Sequence, residues 1–168
     1  MTTFDIRKLR LRAGDQVRER VSIDVEPIHL AGQDYEPRPN PVAAELVIMR
    51  ASSGTVLELA FDLTLAGPCF RCLADAELPL SLSLREYSAT KPESEDDSTE
   101  YLVDDQLDLS QWAHDAVVLA LPVQILHDPD CAGLCPVCGK DLNVEPHEHV
   151  EETVDPRWAA LSELRESD

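Results

Sequence analysis

The fold is decided by residues 55–87, TVLELAFDLTLAGPCFRCLADAELPLSLSLREY, in which two apolar alternations flank a short central segment. Apolar residues occupy every second position from 57 to 65, and leucines do so from 78 to 84. Because successive side chains of a strand point to opposite faces, each half predicts a strand with one apolar face. Antiparallel pairing would place Cys69 and Cys72 at the tip of a hairpin, away from the core.

More strands are predicted before this hairpin. Residues 17–26 alternate apolar with polar side chains until Pro27, and another strand is predicted over residues 42–49. Between these two strands, residues 35–41 (YEPRPNP) contain three prolines. Proline lacks a backbone N–H, so this stretch predicts an extended connection and excludes both a helix and a central strand.

A loop and helices are predicted after the hairpin. Residues 88–106 are polar and acidic, which predicts a mobile loop because little apolar surface is available to offset the entropy of ordering. Asp108 or Ser110 can then cap a helix through LSQWAHDAVVLAL, whose apolar residues recur at helical spacing. A second, shorter helix is predicted from Asp155 onwards.

The chain is strongly acidic, and its charge is unevenly distributed. With 33 acidic and 14 basic residues, the formal net charge is −19. Residues 1–20 form a basic arm of net charge +3, so the rest of the chain carries −22. This balance opposes general binding to phosphate backbones or anionic membranes and favours a cationic partner. The lack of a membrane-spanning apolar run or a secretory leader predicts a cytoplasmic location.

The cysteines carry the clearest chemical signal. Cys69-x-x-Cys72 and Cys135-x-x-Cys138 each have the spacing of a zinc knuckle, and two such pairs can form one tetrahedral four-thiolate site. A closed site of this kind predicts a structural zinc ion. It would join the hairpin tip to the Cys-rich C-terminal segment, residues 127–168, and the long intervening chain is no obstacle because loop entropy rises only logarithmically with length.

Other ligand sets and other uses of the thiols stay open. Cys131 could replace one of the four cysteines. An alternative site draws on Cys131, Cys135 and Cys138 with His127, His147 or His149. Unliganded thiols are a second alternative. Redox chemistry is a third, but a reactive CxxC needs a helix N-terminus, and Cys69 and Cys72 lie between two strands. No catalytic triad, phosphate-binding glycine loop or HExxH motif is recognisable, so we expect no enzyme.

These observations together predict an α+β protein with a single domain over residues 1–168. The size and the apolar content of the chain suit one core. The expected architecture is a mainly antiparallel β-sheet covered by one or two helices. A zinc-knuckle site would join the hairpin tip to the C-terminal segment.

Three further stretches add a family resemblance. They are the helical segment 108–122, the cysteine segment 131–143 (CAGLCPVCGKDLN) and the closing residues 155–161 (DPRWAAL). In this order, and with the Cys69-x-x-Cys72 tip, they resemble the YceD family, named large ribosomal RNA subunit accumulation protein. The resemblance implies a non-enzymatic factor in ribosome biogenesis. It also implies that the two pairs named above correspond to the family's paired cysteines, and that Cys131 corresponds to the family's additional cysteine.

The charge suggests how such a factor would act. An acidic body is repelled by RNA phosphates, so we expect it to bind a basic ribosomal protein or a large-subunit assembly intermediate. The alternative is a zinc-knuckle module that binds ribosomal RNA directly through the basic arm. The residues that would make this contact are Arg7, Lys8, Arg10 and Arg12.

Overall fold

The computed structural model describes residues 1–94 and 97–149, and the chain divides into two compact units. The first unit, residues 1–131, contains all the strands and the helix named below. The second unit begins at Ala132 and is described as far as residue 149. The helix predicted from Asp155 lies outside the described residues.

The predicted central hairpin is confirmed. Strands β6 (Gly54–Pro68) and β7 (Asp75–Ala89) pair antiparallel along their whole length. The apolar face of β6 forms the middle of the core, where Leu57, Leu59 and Leu65 have no exposed surface. The alternation that predicted the strands therefore also predicted which side chains are buried.

The hairpin belongs to a six-stranded antiparallel sheet, in agreement with the predicted class. Its other strands are β2 (Gln16–Ile23), β3 (Ile28–Leu30), β4 (Gln33–Arg38) and β5 (Val42–Arg50). The order is β2-β5-β6-β4-β3, and β7 lies along the opposite edge of β6. Strand β5 pairs with the first half of β6 and β4 with the second half, so one long strand organises the sheet.

The prediction for residues 35–41 was wrong in part, because residues 35–38 belong to β4. Pro37 lies opposite Leu65 of β6 in the register. On its other side, β3 pairs only with residues 33–35. Pro37 therefore has a neighbouring strand on one side only, and a strand edge tolerates a residue without an N–H.

A smaller sheet and one helix complete the first unit. Strands β1 (Thr3–Asp5), β8 (Leu102–Val103) and β9 (Gln106–Asp108) form a sheet in the order β1-β9-β8. Helix α1 (Leu109–Leu119) follows at once and contacts β1, β2 and β7. The predicted cap is confirmed, since the Asp108 carboxylate accepts a hydrogen bond of 3.0 Å from the N–H of Gln111.

The predicted apolar stripe of α1 is buried at Leu109, Trp112, Ala113, Ala116 and Val117. Its last two predicted members follow the end of the helix, where Ala120 is exposed and Leu121 is half-buried. No helix in the described part of the chain is long and apolar enough to cross a membrane.

The predicted mobile loop and the basic arm both contain regular structure. The range 88–106 includes the last residues of β7, the whole of β8 and the first residue of β9. The basic arm, residues 1–20, contains β1, a 3₁₀ helix (Ile6–Leu9) and the beginning of β2. Ile6 anchors the 3₁₀ helix with 7% of its surface exposed, so apolar burial holds the arm in the fold. Its four candidate contact residues, Arg7, Lys8, Arg10 and Arg12, are all exposed.

Tyr35 connects the sheet to the hairpin tip and gives a first testable prediction. Its side chain is fully buried, and its hydroxyl donates to the carbonyl oxygen of Pro68, the residue before Cys69, at 2.9 Å. Tyr35→Phe is expected to lower the free energy of unfolding by about 1 kcal/mol, because the half-buried carbonyl of Pro68 loses this donor. Urea unfolding measures this loss. The matched change Tyr87→Phe, at a tyrosine that is 41% exposed, should have little effect, and equal losses would contradict the role of Tyr35.

Candidate metal centres

The hairpin tip is a tight turn that places its two thiols side by side. The N–H of Cys69 donates to the carbonyl of Ala74 at 2.7 Å, and the N–H of Leu73 donates back to the carbonyl of Cys69 at 3.0 Å. Leu73 has a φ of +64°, in the left-handed region that most side chains avoid. The backbone thus turns around Cys69 and Cys72 in the manner of a metal knuckle.

The chain that follows α1 returns to cover this tip. The N–H of Phe70 donates to the carbonyl of Ile125 at 2.8 Å, and the Arg71 guanidinium donates to the carbonyl of Cys131 at 2.9 Å. As a result Cys69 has no exposed surface and Cys72 has 8%. The prediction that the tip lies away from the core was wrong, because the pattern of the two strands contains no information about a segment more than fifty residues later.

The returning segment brings His127 and Cys131 to the two thiols. Nδ1 of His127 lies 3.2 Å from the sulfur of Cys72 and 3.5 Å from that of Cys69. The sulfurs of Cys69 and Cys131 are 3.9 Å apart. A tetrahedral zinc ion requires about 3.8 Å between two sulfurs and about 3.5 Å between sulfur and nitrogen. All four ligand atoms lie within 4.8 Å of one another, so this donor set fits one such ion.

The surroundings of the first group shift the pKa values of Cys69 and Cys72 in opposite directions. Burial opposes ionisation of Cys69, but hydrogen bonds from His127 and from backbone N–H groups outweigh it and lower the pKa of Cys69 to about 5. Burial raises the pKa of Cys72 to about 11, and the neighbouring Cys69 and Cys131 add to the rise. One thiolate is thus ready to bind a cation, and a bound metal would displace the proton of Cys72.

A second group lies in the second unit. It consists of Cys135, Cys138, His147 and His149, whose ligand atoms also lie within 4.8 Å of one another. Hydrogen bonds from the N–H groups of Cys138 and Val137 lower the pKa of Cys135 to about 6. The carbonyl of Glu145 and the thiolate of Cys135 raise the pKa of His147.

The structure therefore groups the predicted ligands differently from the sequence analysis, which joined the two cysteine pairs in one site. Each pair lies with its own histidine or histidines inside its own unit, and Cys131 lies with the first pair. His127, His147 and His149 entered the sequence analysis only as alternatives. Their spacing was a usable signal, because a histidine four residues before Cys131 and an HxH shortly after Cys138 suit metal ligation.

The geometry defines the chain as a small α+β protein with two Cys/His groups, each arranged as a metal ligand set. Residues 57–165 match the family model described as "Large ribosomal RNA subunit accumulation protein YceD", and the chain belongs to the YceD family. The range covers both CxxC pairs and, of the larger sheet, most of β6 and all of β7. The resemblance noted from the sequence motifs is confirmed.

Curated relatives come from several bacteria. The uncharacterized protein Rv2926c of Mycobacterium tuberculosis is 38% identical over 125 residues, which cover 71% of this chain and 60% of the relative. The uncharacterized protein ML1660 of Mycobacterium leprae is 33% identical, and the match covers 74% of this chain and 59% of the relative. The uncharacterized protein YlbN of Bacillus subtilis is 32% identical, with 66% and 69% covered. The chain thus spans about 60% of the length of the mycobacterial relatives. No solved structure matches it.

Proposed function

We propose that this protein is a non-enzymatic ribosome biogenesis factor that supports accumulation of large-subunit ribosomal RNA by binding a basic ribosomal protein or an assembly intermediate that contains one. The description of its family supports the link to the large subunit. The role would place it in the cytoplasm, where bacterial ribosomes assemble. The mode of action is inferred from the distribution of charge in the first unit and the acidity of the whole chain.

The observation that carries this proposal is an acidic surface with few internal counterions. No Asp or Glu in residues 1–94 or 97–149 is buried. Over the same residues, arginine and lysine form only four ion pairs with carboxylates. Most carboxylates are therefore available to a cationic partner, and their summed field would accelerate its association.

The segment around β8 and β9 presents several of these carboxylates on an ordered backbone. Asp97 accepts hydrogen bonds from the N–H groups of Glu93 and Ser94, which lower its pKa and keep it charged. Asp104 and Asp105 are exposed in the turn between the two strands. Hydrogen bonds hold the carboxylate of Asp97, and the turn between paired strands sets the backbone of Asp104 and Asp105, which lowers the entropic cost of binding a basic protein.

The first metal group supplies the structural part of the proposal. Cys69, Cys72, His127 and Cys131 would hold a zinc ion that ties the hairpin tip to the chain after α1. Four protein ligands leave no open coordination position, so this ion would stabilise the fold and take no part in a reaction.

Neutralising the exposed carboxylates of Glu100, Asp104 and Asp105, called the acidic turn below, provides the test of partner binding. The variant Glu100→Gln/Asp104→Asn/Asp105→Asn removes three exposed charges, and asparagine keeps the positive φ of residues 104 and 105 favourable. We expect about tenfold weaker binding to a basic large-subunit ribosomal protein at low salt, and a smaller difference at high salt. Titration of the full chain against purified large-subunit ribosomal proteins, one at a time, measures the change.

A matched variant distinguishes binding at a local surface from a general effect of the net charge on binding. Glu26→Gln/Glu36→Gln/Glu77→Gln removes the same number of exposed charges from other parts of the first unit. We expect it to weaken binding less. Retention of RNA by the wild-type chain without affinity for any basic ribosomal protein would refute the proposal.

Direct RNA binding is the second candidate, and the exposure of the basic residues near the N-terminus favours it. Arg7 pairs with Asp5, while Lys8, Arg10 and Arg12 form no ion pair with any residue in the described ranges. If RNA is the partner, neutralising these four residues should abolish RNA retention and flatten its salt dependence.

A further inference from the structure

We propose that residues 132–149 hold a second, independent site for a tetrahedral divalent ion of the zinc class, with Cys135, Cys138, His147 and His149 as its ligands. This ion would be bound in addition to the one at the hairpin tip, so that each chain carries two. The inference goes beyond the proposed function, which requires only the first ion.

The second knuckle has the same backbone arrangement as the hairpin tip. The N–H of Cys135 donates to the carbonyl of Lys140 at 2.8 Å, and the N–H of Gly139 donates back to the carbonyl of Cys135 at 2.8 Å. Gly139 has a φ of +73° and takes the place that Leu73 has in the tip. Two unrelated segments of sequence thus adopt one turn around a CxxC pair, and metal ligation is the function that this turn commonly serves.

A contact of the Nδ1 atom of His147 orients the ring so that its other nitrogen can bind a metal. Its Nδ1 lies 2.7 Å from the carbonyl oxygen of Glu145. A carbonyl oxygen can only accept, so Nδ1 carries a proton, and in the neutral ring Nε2 is left with its lone pair. Nε2 lies 3.1 Å from the sulfur of Cys138. A backbone carbonyl that fixes the tautomer and the ring orientation is the usual outer partner of a metal-bound histidine.

His149 completes the donor set. Its ring packs edge to face on that of His147, with the ring centroids 5.0 Å apart, and its ligand atom lies within the same 4.8 Å limit as the other three. Two thiolates and two neutral imidazoles balance the charge of a divalent cation. A tetrahedral set of two sulfurs and two nitrogens is the chemistry that selects zinc among the common biological metals.

The described part of the second unit lacks an apolar core that could hold the four ligands in place. Within residues 132–149 only Gly133 and Cys135 are buried. The larger apolar residues face solvent, since Val137 is 68% and Val144 is 81% exposed. In so small a unit, ligand bonds to an ion take the place of hydrophobic burial, and metal binding is coupled to folding.

Metal content of the full chain tests the two sites separately. Protein loaded with zinc and freed of excess ion should contain two zinc ions per chain by elemental analysis. The variants Cys69→Ser/Cys72→Ser and Cys135→Ser/Cys138→Ser should each retain one ion. His147→Ala/His149→Ala should also retain one, whereas His29→Ala, at an exposed histidine outside both groups, should retain two.

Cobalt substitution identifies which site is filled. Each thiolate bound to cobalt adds charge-transfer absorption, so His147→Ala/His149→Ala should keep the spectrum of a three-thiolate site, and Cys69→Ser/Cys72→Ser that of a two-thiolate site. A single ion per chain that is lost from either cysteine-pair variant would overturn the proposal in favour of one shared four-thiolate site. Two ions retained by His147→Ala/His149→Ala would also overturn it.

Discussion

Removing the ion from the first site is expected to lower the melting temperature of the first unit by about 10 °C. The proposed ion links Cys69 with Cys131, which are 62 positions apart. A cross-link that closes a loop of this length contributes about 4 kcal/mol by restricting the unfolded chain. For a domain of this size, each kcal/mol changes the melting temperature by about 2–4 °C.

Thermal unfolding of the full chain, with zinc and after chelation, measures this effect. Cys69→Ser/Cys72→Ser also changes buried side chains, so the informative quantity is the difference between the zinc-loaded and chelated forms of each protein. For the melting of the first unit, that difference should be large in the wild type and absent in this variant. Cys138→Ser, at an exposed ligand of the other group, should keep it. A wild type that melts at the same temperature in both forms would show that the first group holds no stabilising ion.

Local pattern was sufficient to predict the elements that depend on neighbouring residues. The alternation over residues 55–66 and 76–87 predicted both long strands, because period-two burial is a property of each strand alone. The cap at Asp108 and the apolar stripe of α1 are likewise local, since they depend on side chains three or four positions apart. The connection predicted at residues 35–41 became a strand in part because register with β3 and β6 decides where a proline is tolerated.

Which cysteines and histidines come together is decided by tertiary structure, and no local sequence pattern predicts it. The spacing of each CxxC pair predicted a knuckle, and both knuckle turns are present. Nothing in the spacing indicates that the chain after α1 returns to the hairpin tip, where hydrogen bonds from Phe70 and Arg71 fix it. That return brings His127 and Cys131 to the first pair and supplies it with four ligands inside its own unit.

The second large effect is expected from Trp112→Ala, which should lower the free energy of unfolding by about 3–5 kcal/mol. Trp112 is only 2% exposed, and its ring stacks on that of Tyr101 with the centroids 6.0 Å apart. Truncation would leave a cavity beneath α1 and remove the ring contact with Tyr101, while the hydrogen bond from the Tyr101 hydroxyl to Asp115 of the helix would remain.

Urea unfolding of the full chain, followed by circular dichroism at wavelengths that report the sheet, measures the loss. Leu119→Ala is the matched control, because it truncates a large apolar side chain of the same helix that is 87% exposed. We expect the control to change stability by less than about 0.5 kcal/mol. Trp112→Ala should also weaken binding of a basic ribosomal protein under conditions where the variant is still folded, since Tyr101, next to β8, loses one of its two contacts with the helix. Unchanged binding by a folded Trp112→Ala variant would show that binding does not depend on the contact between Tyr101 and Trp112.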